Sequence, residues 1–145
     1  MKKIFKTTVL FYFLINSFNF SLSSENFFNK GLELYKKERF KDARFMFEKS
    51  IVYNPKHSNS YLYLAKIYNK EKNQKKEEKN LEATLLIEPS NEEAILMLMN
   101  IALEKSNYSQ VKKLSEDFVK VCKNLCDKNK TILESLANLE PKNES

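Results

Sequence analysis

One glycine and three prolines in 145 residues leave little turn-forming material for a β-sheet. The long apolar-periodic stretches, rich in Leu, Lys and Glu, point instead to an all-α chain. Histidine is almost absent. The single one, His57, sits beside Pro55 with no motif around it, so it reads as a solvated loop residue. Two cysteines, Cys122 and Cys126, with no histidine near them do not make a metal site. No G-x-S-x-G, H-E-x-x-H or phosphate-loop pattern occurs. These absences argue against an enzyme and against any cofactor or metal.

Charge of one sign is scarce as well. The formal net charge is +6, but Lys2, Lys3 and Lys6 precede the first acidic residue, Glu25. The remainder, with 22 basic and 19 acidic residues, is too mildly basic for a nucleic-acid partner. The mixed run Lys75-Lys76-Glu77-Glu78-Lys79 reads as a solvated helix face.

What the chain does contain is a period. Pro55 and Pro89 are 34 residues apart, and the residues between follow a plan already present in GLELYKKERFKDARFMFEKSIVYNP, Gly31 to Pro55. Dividing the chain into 34-residue repeats places Gly31 opposite Ala65, Leu34 opposite Tyr68, and Phe47 opposite Leu81. Ala43 supplies a second small residue for a helix crossing. The first repeat carries Phe27, Gly31, Tyr35, Phe40, Ala43, Phe47 and Pro55. The second carries Tyr61, Leu64, Ala65, Tyr68, Leu81 and Pro89. The third keeps Leu98, Ala102 and Tyr108 but lacks the alanine and the proline. These residues resemble the tetratricopeptide repeat (TPR) family. Glu77 stands where that family prefers alanine, and Gln74 where it prefers an aromatic.

The expected architecture is an all-α right-handed solenoid. Three helix–turn–helix repeats, 24–57, 58–91 and 92–125, are followed by a capping helix within 126–140 and a frayed tail, 141–145. The expected helices are Glu25–Glu38, Lys41–Tyr53, Asn59–Glu71, Gln74–Ile87 and Asn91–Glu104, then one behind Asn107 carrying Val111, Leu114, Phe118 and Val121. A last helix spans Thr131–Leu139. Ser24, Ser58 and Ser90 are the expected N-caps, and Thr131 with Glu134 forms a further capping box.

Residues 1–23 have the layout of a secretory signal peptide: a basic start, an apolar core at Val9–Ile15, and small residues at Ser21 and Ser23. Cleavage after Ser23 is expected, with an uncleaved membrane anchor as the alternative. The Met-Lys-Lys start suits a bacterial leader, so the expected address is the periplasm or cell exterior. Inner-membrane anchoring follows if the segment is retained. Outside the cytoplasm a cysteine pair tends to oxidise. A continuous helix would present Cys122 and Cys126 poorly for bridging, so disulfide and two thiols both stay open.

The resemblance implies a protein partner held in a concave groove lined by the first helix of each repeat. The matching positions are Glu25, Phe28, Leu32, Tyr35 and Lys36, then Asn59, Leu62, Lys66, Asn69 and Lys70, then Glu93, Leu96, Asn100, Leu103 and Glu104. Phe28, Leu32, Tyr35 and Leu62 would form an apolar floor, with Lys36, Lys66 and Lys70 as a basic rim. The carboxylate clamp of chaperone-tail binders is absent, because its positions hold Phe28, Leu32, Tyr63, Glu93 and Leu96. The expected function is a non-catalytic adaptor of the cell envelope. The alternative is a structural subunit of an envelope complex, homo- or hetero-oligomeric.

Overall fold

The computed structural model describes residues 23–139. Residues 1–22, which hold all but the last residue of the expected signal peptide, and residues 140–145, with the expected frayed tail, lie outside that range. Seven helices and no strand occur among the described residues, arranged as a solenoid of helix–turn–helix repeats. They are α1 (23–36), α2 (Phe40–Tyr53), α3 (Ser58–Lys70), α4 (Gln74–Ile87), α5 (Glu92–Glu104), α6 (Tyr108–Val121) and α7 (Cys126–Leu139). Two compact units are present, one ending at Ile67 and one beginning at Tyr68.

The period is visible at every corner. Helices α2, α4 and α6 begin at residues 40, 74 and 108, and α3, α5 and α7 at residues 58, 92 and 126. The turns after α1, α3 and α5 share one geometry. The N–H groups of Arg39, Asn73 and Asn107 reach back to the carbonyls of Leu34, Tyr68 and Ala102 at 2.8–3.0 Å. Those of Glu38, Lys72 and Ser106 reach Tyr35, Asn69 and Leu103 at 2.9–3.0 Å. This is the Schellman closure, which needs one residue in the left-handed region. Glu38, Lys72 and Ser106 fill that place with φ of 58°, 55° and 54°. Glycine is the usual occupant because it has no Cβ to clash. This chain's only glycine is elsewhere, inside α1.

Gly31 serves packing. A Cβ built on it would lie 2.5 Å from Phe47 Cε1 on α2. The missing side chain lets the fully buried Phe47 ring lie against the α1 backbone. Around that crossing the N-terminal unit stacks rings. Phe28, Phe47 and Tyr63 have mutual centroid distances of 5.3–5.7 Å, and Tyr35 meets Tyr63 edge-on at 5.2 Å. The C-terminal unit is aliphatic by comparison. Its core gathers Ile95, Leu96, Met99 and Ala102 of α5, Val111 and Phe118 of α6, and Ile132 and Leu136 of α7.

Several local expectations change. Ser24 does not cap α1. It lies inside the helix, fully buried, and its Oγ donates to the Ser50 carbonyl at 3.0 Å while Ser50 Oγ donates to the Ser24 carbonyl at 2.9 Å. The two serines thus fasten α1 to α2. Ser58 is the first residue of α3, and the acceptor before it is His57, whose Nδ1 takes the Ser60 N–H at 3.3 Å. Asn91, not Ser90, caps α5, its side chain accepting the Ala94 N–H at 3.0 Å. Phe40, one residue before the expected helix start at Lys41, opens α2. The last helix starts at Cys126, five residues before the expected Thr131. Thr131 is therefore mid-helix, and its carbonyl accepts the Ser135 hydroxyl. With this start α7 falls in phase with α3 and α5, as the opening helix of a further repeat whose second helix is not among the described elements.

Candidate functional site

Between α5 and α7 lies an open cleft of about 510 Å³. Leu96, Leu125 and Ile132 give it an apolar floor, and Glu93, Asn100, Lys128 and Thr131 stand at its edges. Three of the sequence-derived groove positions, Glu93, Leu96 and Asn100, therefore share one cavity. Leu96 is buried and belongs also to the core, while Asn100 is exposed. The α7 wall was not legible in the sequence, because an expected start at Thr131 left Leu125 and Lys128 off any helix or wall. The signal was there in the 34-residue phase, which places a helix start at Cys126.

The α6–α7 corner sets that wall. Cys122 caps the end of α6 and Cys126 opens α7, and the two are joined by a disulfide with a Cα–Cα distance of 5.4 Å. The helix ends at Val121, so the objection to bridging across a continuous helix falls away. The turn between them points three backbone N–H groups at one carboxylate. Glu92, the first residue of α5, accepts from Lys123 at 2.8 Å, from Asn124 at 3.1 Å and from Leu125 at 2.7 Å. Burial works to raise the Glu92 pKa. The three donors together with nearby Lys123 outweigh it and hold the carboxyl below its usual range.

The groove positions of the N-terminal unit are packed to differing degrees. Phe28 and Leu62 are buried, Phe28 against Phe47, His57 and Tyr63, so neither is an open floor. Leu32 and Tyr35 are half-buried, and Lys36 is exposed. The Lys66 Nζ lies 4.4 Å from the Tyr63 ring centroid. In the C-terminal unit Asn69 and Lys70 are exposed, and the Asn69 amide donates to Glu77 Oε1 at 3.1 Å.

Two polar features differ from expectation. Glu77 is not part of a solvated face but is buried, only 4% exposed. Desolvation raises its pKa against the lowering effect of the Asn69 bond, and Glu104 and Glu78 add to the rise. His57 is not a solvated loop residue either. Its side chain is 13% exposed, with Nε2 3.2 Å from Glu25 Oε2 and Nδ1 3.0 Å from Ser60 Oγ. The Glu–His–Ser order imitates a hydrolase triad. Ser60, however, is fully buried in α3, so no substrate reaches its hydroxyl. The constellation is a helix cap that ties α1 to α3.

No family model matches the sequence, and no curated protein matches it. Solved structures do. The TPR2B domain of yeast Sti1 in complex with pHsp70 has a TM-score of 0.74 at 10% identity, covering 82% of this chain and 99% of that one. The Yersinia enterocolitica type III secretion chaperone SycD, in complex with a peptide of the translocator YopD, has 0.68 at 11%, covering 79% and 89%. The second TPR domain of human RPAP3 in complex with an HSP70 peptide has 0.65 at 15%, covering 87% and 99%. At these identities the likeness is one of fold, and the fold is that of TPR domains.

Proposed function

We propose that this chain is a non-catalytic protein-interaction adaptor. It takes a peptide or helix of another protein, with the α5–α7 cleft as a principal anchoring point. The observation that carries this reading is the cleft itself. It has an apolar floor wide enough for one or two large side chains, bounded by polar groups that can fix a peptide backbone. The SycD and RPAP3 structures, which hold peptides on the same fold, support it. Asn69 and Lys70, in the same unit as the cleft, are the further contacts this reading assigns.

The test is selection of a displayed random-peptide library on the oxidised full chain, followed by affinity measurement on variants. Thr131→Trp fills the cleft from an exposed helix position. Peptides selected on the wild type should bind this variant at least about tenfold more weakly, with unchanged helical content. Undiminished binding would remove the cleft from the site.

A second reading has its own observation. Leu133 and Leu139 are exposed on α7, at 37% and 56%, in the helix left without a second-helix partner among the described elements. That suits a subunit built permanently into a larger assembly. Sedimentation of the full chain separates the two, since a stable oligomer that covers α7 would favour the subunit. The envelope setting rests on the basic and apolar leader together with the bridged cysteines, which suit an oxidising compartment. N-terminal sequencing of the mature protein should begin at Ser24. Retention of Met1 would instead favour the membrane-tethered form.

A further inference from the structure

The third corner is built differently from the first two. After the C-caps Asn54 and Glu88 the chain places Pro55 and Pro89, which cannot continue a helix. After the corresponding C-cap, Cys122, it places Lys123. The covalent stop here is the Cys122–Cys126 bond, closing the turn from the C-cap of α6 to the first residue of α7. A proline ring is permanent. A disulfide can be opened by a thiol.

We propose that the α5–α7 cleft is redox-gated by this bond, an inference that rests on the cleft being the binding site. Its far wall consists of Leu125, Lys128, Thr131 and Ile132, which follow directly from the bridged turn. Between Leu125 and Ile132 the start of α7 carries no apolar side chain of the core cluster. Asn129 is the buried side chain of that stretch, and it is polar. The apolar anchors Ile132 and Leu136 come later, and the far end is tied by the Tyr108 hydroxyl to the Leu139 carbonyl at 3.1 Å. The near end is held by the disulfide, by Glu92 and by the half-buried Leu125 packed on the core. With the bond open, Glu92 and the packing of Leu125 must order a turn that carries no proline, and the cleft wall loosens.

The bond is reachable, because Cys126 is exposed and Cys122 half-buried. The reductant is a dithiol. Its thiolate attacks Cys122 Sγ, a new S–S bond forms, and the electron pair of the broken bond leaves on Cys126. The N-terminus of α7 favours Cys126 as the departing thiolate. The second thiolate of the reductant then attacks its own sulfur in the mixed disulfide and releases Cys122. The dithiol ends as a disulfide, and its two electrons and two protons end on the protein's two thiols.

The experiment compares the oxidised full chain with the chain in excess dithiothreitol, by hydrogen exchange and by affinity for a peptide selected as above. Reduction should speed amide exchange over residues 126–139 by about tenfold or more and weaken peptide binding by a similar factor, with residues 23–67 unchanged. The double variant Cys122→Ser/Cys126→Ser should show the reduced behaviour with and without dithiothreitol. Equal α7 protection and equal affinity in both redox states overturn the gate. If Thr131→Trp still weakens binding in that case, the site survives and only its regulation falls. If Thr131→Trp has no effect, site and gate fall together.

Discussion

At the scale of single residues, the informative positions are those where the chain departs from its own repeat. Glu77 is the clearest. It is a carboxylate at a small-residue position, buried beside α3 residue Asn69 and near Glu104. Its folded-state pKa is raised from 4.5, so the folded chain holds this proton more tightly than the unfolded chain does. Below the unfolded value both states are protonated and no penalty exists. As pH rises through the unfolded and then the folded pKa, the unfolded state loses its proton first and stability falls. Glu77→Gln keeps an acceptor for Asn69 and removes the charge. Thermal melts should show the variant about 2–4 °C more stable at neutral pH, with the gain fading below the unfolded pKa. An equal or lower melting temperature at neutral pH would mean that the carboxylate is better solvated than its burial indicates. Gly31 departs the other way. It is smaller than Ala65 and Met99 at the same repeat position, because Phe47 fills the space.

At the scale of elements, the helices were legible in the sequence and their ends were less so. Gln74–Ile87 appears as expected, because Asn73 caps it, accepting from the Lys76 N–H, and Pro89 follows it. The C-terminal ends at Tyr53, Glu104 and Leu139 also stand where expected; the remaining ends shifted by one to five residues, and the largest shift has a physical cause. Thr131 and Glu134 satisfy a capping-box pattern, yet the Cys122–Cys126 bond and the Glu92 carboxylate had already set the start of α7 earlier in the chain. A local hydrogen bond worth about 1 kcal/mol does not displace a start held by a covalent bond and three charge-assisted ones. The Schellman corners carry their own prediction. Lys72 adopts φ 55° with a Cβ in the way. Lys72→Gly should stabilise the chain by about 0.5–1 kcal/mol in urea denaturation, relief of the left-handed conformation outweighing the added freedom of the unfolded state. A loss of stability would show the lysine side chain to be worth more than the backbone relief.

At the scale of the whole molecule, a repeat protein's stability is shared among neighbouring helices. In the C-terminal unit α7 closes the core through Ile132 and Leu136, which meet Phe118, Val111 and Met99 in one cluster. Leu136→Ala should cost about 2–4 kcal/mol by cavity formation. Hydrogen exchange should place the loss in α5, α6 and α7. A variant that melts as the wild type does would show α7 to be dispensable to the core and would weaken its role as a wall of the site. The exposed Leu133 and Leu139 on the same helix mark where the repeat stops among the described residues.

The sequence by itself determined the period, the helical class and the small-against-large crossings, because each is written within a few residues: proline stops, side-chain volume, and apolar spacing along a helix. It also pointed to Leu96 and Asn100 as residues facing a groove. Only the tertiary structure decided that Phe28 and Leu62 are packing residues, that His57 is a cap, that Glu77 is buried, and that α7 walls the cleft. Those facts depend on partners 8 to 36 residues away, such as Asn69 for Glu77, Glu25 for His57, and Leu96 for the Ile132 that faces it in the core. Burial and hydrogen-bond satisfaction belong to the folded environment and not to the residue, so no local pattern could have shown them.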